Sequence, residues 1–346
     1  MSSSVPLSPA SSRLTIGIPT FDRPQRLAES VGRLLPQLGP DDVLLVLDNA
    51  SRIPAAEVVA PLLANYPGSI VRIVRHRVNL GGAANILRVV EEADEDTWLW
   101  LLGDDDDVLP DAVARVRRTI AVHPDVMFIN FAADNHVRSG DRVTTGLSEF
   151  IAGIDSWSNL NFMSVDVLKV EAVKPELRRG YHFAYSMSPH VAMVMSAIGA
   201  TGRALFSATG LLERHDIGGW APTLALVGRP TLLDLTPDRV DRSRLADRLR
   251  RETNLEFLTT YLVAESKRSG RQTEAVYLID QLRGRLYGPG APCLERLKLL
   301  AYRSLIRFPA FGQMVIGAAL RIRLELTGRS SPVQSTSVGL EGERGY

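Results

Sequence analysis

Cysteine is almost missing from this sequence: Cys293 is the only one in 346 residues. That excludes an internal disulfide framework and any multi-cysteine zinc site, and it fits a reducing compartment. A charge excess is missing too. Lys+Arg 40 against Asp+Glu 39 leaves a net charge of +1, whereas a general nucleic-acid binder carries a marked basic excess. No apolar run reaches the roughly 18 residues of a membrane span. The opening stretch MSSSVPLSPASSR lacks the apolar h-region of a secretory signal. There is no internal repeat. No GxGxxG follows the first apolar run and no GxxxxGK[ST] occurs anywhere, which argues against a dinucleotide Rossmann domain and a P-loop NTPase.

What is present, 45% hydrophobic and 23% charged residues, is the composition of a soluble globular protein with a large core. Met1–Arg13 is rich in Ser and Pro, and Gly328–Tyr346 in Ser, Gly and charge; both are expected to be disordered tails. From Leu14 to about Phe131, apolar runs alternate with amphipathic stretches. The runs LTIGIP (14–19), VLLVLD (43–48), IVRIVR (70–75), TWLWLL (97–102) and VMFINF (126–131) read as strands. Helices are expected at 24–37, 54–65, 82–93 and 110–122, three of them with a proline near the start (Pro24, Pro54, Pro110). This alternation predicts an α/β fold, a mostly parallel sheet with helices on both faces. Residues 132–237 are less regular and include a hairpin candidate, DNHVRSGDRVTT, and the loop HDIGGWAP. Beyond Asp238 the periodicity is helical, with helices expected at 241–268, 271–286, 294–308 and 311–326. The stretch 238–326 carries 17 Lys+Arg against 10 Asp+Glu, so the charge balance of the whole chain hides a basic C-terminal region.

In parallel sheets ligands bind beyond the carboxyl ends of the strands. Thr20-Phe21-Asp22-Arg23 follows the first run, and Asp48-Asn49-Ala50-Ser51 the second. A carboxylate such as Asp48 can accept from a nucleobase or a ribose hydroxyl there, or it can cap its own loop as an Asx turn. After the third run, Asn79-Leu80-Gly81-Gly82 leads to Asn85; the paired glycines permit close approach, and the helix N-terminus they open favours an anion. After the fourth comes Gly103-Asp104-Asp105-Asp106-Asp107. Four adjacent carboxylates repel one another unless a cation or hydrogen-bond donors compensate, and no compensating cation is evident nearby in sequence. Hard divalent cations take oxygen ligands, and Mg²⁺ often uses one or two carboxylates together with phosphate oxygens. The run has neither the spacing nor the closing Glu of an EF-hand.

Taken in order, PTFDR, LDNAS, RVNLGGAAN and LLGDDDDVLPDAV resemble the nucleotide-sugar half of family 2 glycosyltransferases with a GT-A fold, over roughly residues 14–131. The resemblance implies a GT-A domain at 14–237, made of a nucleotide-sugar half (14–131) and an acceptor half (132–237), followed by a helical region at 238–327. It places Thr20, Asp22 and Asp48 at the nucleoside, with Asn79, Gly81 and Asn85 lining the nucleotide pocket and Arg23 among the residues that bind the nucleotide-sugar. A DxD-type motif falls on Asp104–Asp106 or one position along within Asp104–Asp107; in the first register Asp104 and Asp105 lie toward the donor, and Asp104 and Asp106, with His215, toward Mn²⁺ or Mg²⁺. DNAS departs from the family's DDGS by one carboxylate and one glycine.

The family's ED-type acid is absent from Tyr181–Val194. His190 and Asp216 stand as candidate bases for an inverting reaction. Arg214 is expected at the leaving diphosphate, and Trp220 against a sugar. The reading is therefore a cytoplasmic glycosyltransferase, UDP-sugar dependent, acting on a glycan or lipid-linked acceptor in cell-envelope polysaccharide synthesis. A homo-oligomer is compatible with it. So is peripheral contact with the inner face of the cell membrane through the basic C-terminal helices. Two rivals stay open: a non-catalytic sugar-nucleotide-binding scaffold, favoured by the missing acid, and a sugar nucleotidyltransferase, disfavoured because GIPTFDR is not a G-x-G-T-R-like loop.

Overall fold

The computed structural model describes residues 13–66, 70–214, 228–253, 255–269, 272–288 and 290–327. It divides into two compact units, one of residues 1–184 and 189–216, the other of residues 185–188 and 217–346. The boundary at 216/217 precedes the change in composition near residue 238.

In the first unit the order is β1 (Leu14–Thr20), α1 (Pro24–Leu34), β2 (Val43–Asp48), α2 (Ala55–Leu63), β3 (Ile70–Arg75), α3 (Gly82–Glu92), β4 (Trp98–Leu101), β5 (Asp107–Val108), α4 (Ala112–Val122) and β6 (Phe128–Ala132). There follow β7 (Arg142–Thr145), α5 (Gly146–Gly153), α6 (Trp157–Asn161), β8 (Asp166–Lys169), α7 (Val170–Val173), α8 (Leu177–His182), α9 (Pro189–Ile198), β9 (Arg203–Gly210) and β10 (Leu212–Arg214). Eight strands form one sheet in the order β3-β2-β1-β4-β8-β6-β9-β7. β1 to β4 are mutually parallel, while β8 runs antiparallel to β4 and to β6.

Successive residues of a strand point to opposite faces. Every residue of β2 and β4, and all but one of β1, is buried, so both faces of the central sheet are covered. That is why these runs are apolar without alternation. α3 closes on β1 at Gly17, where a Cβ would lie 2.1 Å from Val89 Cγ1; only glycine permits this approach. α1 buries Leu27, Ser30, Val31 and Leu34 at helical spacing and so carries one polar group, Ser30, to the interior.

The first four strands and helices lie within a few residues of their expected positions. Arg13, grouped with the N-terminal tail by composition, is held by Asp94 and Asp96; the rest of that tail and Gly328–Tyr346 lie outside the described residues. The hairpin expected at 134–145 does not form. Its second arm, β7, pairs with β9 instead. In the would-be first arm, Arg138 turns inward to donate to the carbonyls of Asn130 and Ser207 at 2.7 and 2.8 Å.

The second unit is helical: α10 (Arg239–Arg251), α11 (Leu255–Ser269), α12 (Gln272–Leu286), α13 (Cys293–Arg307) and α14 (Pro309–Thr327). The single helix expected at 241–268 is two. Asp238 caps α10, accepting from the Val240 and Asp241 N–H groups, and the helix ends where Thr253 Oγ1 donates to the Leu249 carbonyl at 2.7 Å. A Thr hydroxyl competing for a carbonyl in this way weakens the helical ladder. Among the described residues no helix is long and apolar enough to cross a membrane.

Candidate functional site

The loops after β1 and β4 meet because these strands are parallel neighbours, with Gly17 opposite Leu101 in register. Thr20 Oγ1 donates to Asp104 Oδ2 at 2.6 Å, and Arg23 bridges Asp104 and Asp105 at 3.0 and 2.6 Å. From α1, Ser30 Oγ donates to the Asp104 carbonyl at 3.0 Å. Ser164, just before β8, takes the other side of the loop: its hydroxyl donates to Asp106 Oδ2 at 2.5 Å and accepts from the Gly103 N–H at 2.8 Å. Gly103 is required here, since a Cβ would lie 2.5 Å from Asp106 Oδ2. Arg33 reaches Asp107 at 3.5 Å and Glu213 at 3.2 Å.

The acidic run is therefore compensated, by Arg23 and Arg33 from α1 and its N-terminal boundary. This corrects the expectation that it lacks a compensating cation. The compensation is incomplete at Asp104. Burial raises its carboxyl to about 6 even though Arg23 and Thr20 pull it down.

The loops after β2 and β3 form a second cluster. Asp48 is fully buried. Its carboxylate accepts from the N–H groups of Ser51 and Ala55 at 2.8 and 3.1 Å, and from Arg75 at 2.9 Å. Those are the bonds of a loop-capping residue, the Asx-type role weighed against nucleoside binding in the sequence. Asp22 adopts φ 52 and accepts from the Arg52 backbone N–H and Nε at 2.7 and 3.0 Å. Ala50 also lies in the left-handed region, at φ 66, the position where the family's DDGS has its glycine and where a Cβ costs about 1 kcal/mol. Asn49 Nδ2 donates to Asn79 Oδ1 at 2.7 Å, and Asn49 Oδ1 accepts from the Leu80 N–H at 2.9 Å. An aspartate at 49 could not donate, so this departure from DDGS ties the second loop to the third. Asn79 Oδ1 also accepts from the Gly81 N–H at 2.8 Å. Asn85 is buried, donating to the Leu47 carbonyl at 3.1 Å and lying 3.0 Å from His76 Nε2.

His190 is taken inside. Its ring is 1% exposed, its Nε2 lies 3.5 Å from Asp166 Oδ2, and burial pushes the imidazole down to about 4. Asp166 is fully buried on β8, accepts from Asn130 Nδ2 at 2.7 Å, and is driven well above the usual carboxylate range by burial. Burial thus favours the neutral acid and the neutral imidazole in this pair. Unfolding releases Asp166 to its ordinary value near 3.8, so its protonated native form loses ground as pH rises through and above that value. Asp166→Asn, which mimics the neutral acid, should therefore raise stability over the parent at about pH 8 by more than at about pH 4.5. Urea unfolding at both pH values checks this, and an equal difference at the two would contradict the neutral pair.

His215, Asp216 and Trp220 lie outside the described residues, as does the side chain of Arg214. The Arg214 backbone pairs with Asp107 across the β10–β5 ribbon, next to the acidic loop. Ser164, Ser30, Arg33 and Arg75 carried no sequence signal. Each is a polar residue outside the motifs, on an element brought in from elsewhere.

Among the described residues no three His, Cys, Asp or Glu side chains gather as a cage for a metal ion. What the donor set fits is the mode in which one or two carboxylates, here of Asp104 and Asp106, share a hard cation with substrate phosphates and water.

Residues 15–163 match the family model described as Glycosyl transferase family 2. No curated protein matches the chain. Among solved structures it is similar to residues 1–349 of S. aureus TarS, at 11% identity and a TM-score of 0.59, over 92% of this chain and 92% of that one. The same protein in complex with UDP-GlcNAc aligns at 12% identity and a TM-score of 0.56, over 86% of this chain and 89% of that one. At these identities the likeness is one of fold, the GT-A arrangement that the motifs imply.

Proposed function

We propose that this chain, a glycosyltransferase whose residues 15–163 match the Glycosyl transferase family 2 model, moves a sugar from a UDP-sugar to a hydroxyl of a glycan or lipid-linked acceptor, with inversion at the anomeric carbon. The observation that carries this reading is the convergence of Thr20, Arg23 and the acidic loop 104–106 at the carboxyl ends of β1 and β4. Burial above all, with a smaller push from the Asp105 charge, raises the Asp104 carboxyl to about 6, and Asp106 is buried too; a cation beside them would keep both ionised. A divalent cation shared with the donor diphosphate, Mn²⁺ or Mg²⁺, would do so and would stabilise charge on the leaving group. Asp104 and Asp106 would hold that cation, while Thr20 and Arg23 orient Asp104. The second cluster, Asp48 through Asn79, shapes the loops over which the nucleoside would lie. TarS in complex with UDP-GlcNAc supports UDP as the nucleotide.

We assign proton abstraction from the acceptor to Asp216 rather than to His190. A general base must reach the hydroxyl it serves, and the His190 ring is enclosed. Asp216 lies two residues from Arg214 in sequence, a cation that would keep it ionised and would lie near the departing diphosphate.

Calorimetric titration of UDP-, GDP- and dTDP-sugars with and without Mn²⁺, followed by UDP release in the presence of glycan acceptors, tests the proposal. Binding of a UDP-sugar that requires the cation is expected, with Asp216→Asn lowering kcat about 100-fold and leaving affinity unchanged. Cation-dependent binding without turnover on any acceptor would instead favour the scaffold reading.

A further inference from the structure

In the second unit, α13 buries Leu299 and Ile306. The opposite face of such a helix is ordinarily polar. Here it is not. Leu294, Leu297, Ala301 and Ser304 follow one another at spacings of three and four, with Leu300 beside them, and all are exposed. The apolar exposure continues through Phe308 into α14 at Phe311 and Met314. Leu294, Leu297, Leu300, Phe308, Phe311 and Met314 are 45–64% exposed, a run too contiguous for the scattered surface hydrophobes of an ordinary domain.

Cations edge this stripe. At 3.6 residues per turn, Arg296 and Arg307 fall on one side of it and Lys298 on the other, and all three are exposed. Arg303 is held by Asp280 at 2.8 Å, but Arg296, Lys298 and Arg307 have no acidic partner among the described residues. Across Cys293–Thr327 six basic residues face two acidic ones. An apolar stripe bordered by unpaired cations is the pattern of a helix that lies in a membrane interface, apolar side chains among the acyl chains and cations at the lipid phosphates.

We propose that the exposed face of α13 and the start of α14 docks on the surface of an anionic bilayer. Charge decides against a second copy of the chain as occupant: stripe against stripe would bring like-signed edges together, whereas anionic headgroups complement them. The proposal goes beyond the transferase reading, and its test uses neither donor nor acceptor, so either can fail without the other.

Flotation of the full chain with vesicles of phosphatidylcholine alone, or of phosphatidylcholine with phosphatidylglycerol, tests it. Binding to the anionic vesicles only, weakened as salt shortens the screening length from about 8 Å to about 3 Å, is expected. The exposed-site double variant L297S/F311S should bind at least about tenfold less, and R296Q/K298Q/R307Q should lose the preference for anionic lipid. Both should stay folded with an unfolding midpoint close to the parent's, because more than half of the surface of Leu297 and Phe311 already faces solvent and the three basic residues are exposed. A parent chain that stays with neither vesicle at low salt overturns the proposal. So does a self-associated parent that becomes monomeric in L297S/F311S, since the stripe would then cover another copy.

Discussion

Asp106→Asn should lower sugar transfer at least about 100-fold, roughly 2.7 kcal/mol of transition-state stabilisation, and weaken Mn²⁺-dependent UDP binding at least about tenfold. The substitution keeps the shape of the side chain and removes the charge that a shared cation would need. Asp106 is buried, with Ser164 Oγ donating to it and the Gly103 N–H closing the same turn, so some loss could come from a disturbed loop. Ser164→Ala separates the two effects. It breaks the same local bonds at a cost of about 1–3 kcal/mol of stability but leaves the carboxylate, and it should retain cation dependence. Calorimetry of UDP with and without Mn²⁺ on both variants reads the difference. Unchanged cation dependence in Asp106→Asn would remove Asp106 from the metal.

The second large effect is on stability. Asp48→Ala strands two backbone N–H groups, of Ser51 and Ala55, and the Arg75 guanidinium that now pairs with it. Removing one partner of a buried charged network costs about 3–5 kcal/mol, a large part of the 5–15 kcal/mol that holds a typical domain. Arg75 is itself partly exposed, so the lower end applies. The variant should unfold at markedly lower urea concentration, while its folded fraction binds UDP with near-parent affinity. Parent-like unfolding with UDP binding lost would mean that the carboxylate serves the nucleotide and not the loop.

These two aspartates divide what could be read from sequence from what could not. Both follow an apolar run that is legible as a strand, and both stand out as strand-end carboxylates. Their partners are invisible in sequence. Ser164 lies 58 residues from Asp106 and Arg75 lies 27 from Asp48, and neither has a neighbour that marks it. The four aspartates at 104–107 look alike in sequence, but the fold distinguishes them. Asp104 meets Thr20 and Arg23, Asp105 meets Arg23, Asp106 meets Ser164, and Asp107 enters β5 within reach of Arg33. His190 appeared eligible as a base in a stretch lacking acids. Only the fold encloses it, burying the ring and bringing Asp166 of β8 within 3.5 Å of it.

Sequence alone determined the strand–helix alternation, the parallel half of the sheet and the strand-end positions where a ligand would lie. Those follow from periodicity and turn residues, which act within a few positions along the chain. Tertiary structure decided the ionic partners, the burial of Asp48 and His190, and the apolar outer face of α13. Each of these depends on which distant segment comes to lie alongside, or on none doing so. In a parallel sheet that segment lies at least a helix crossover away, beyond the reach of any local pattern.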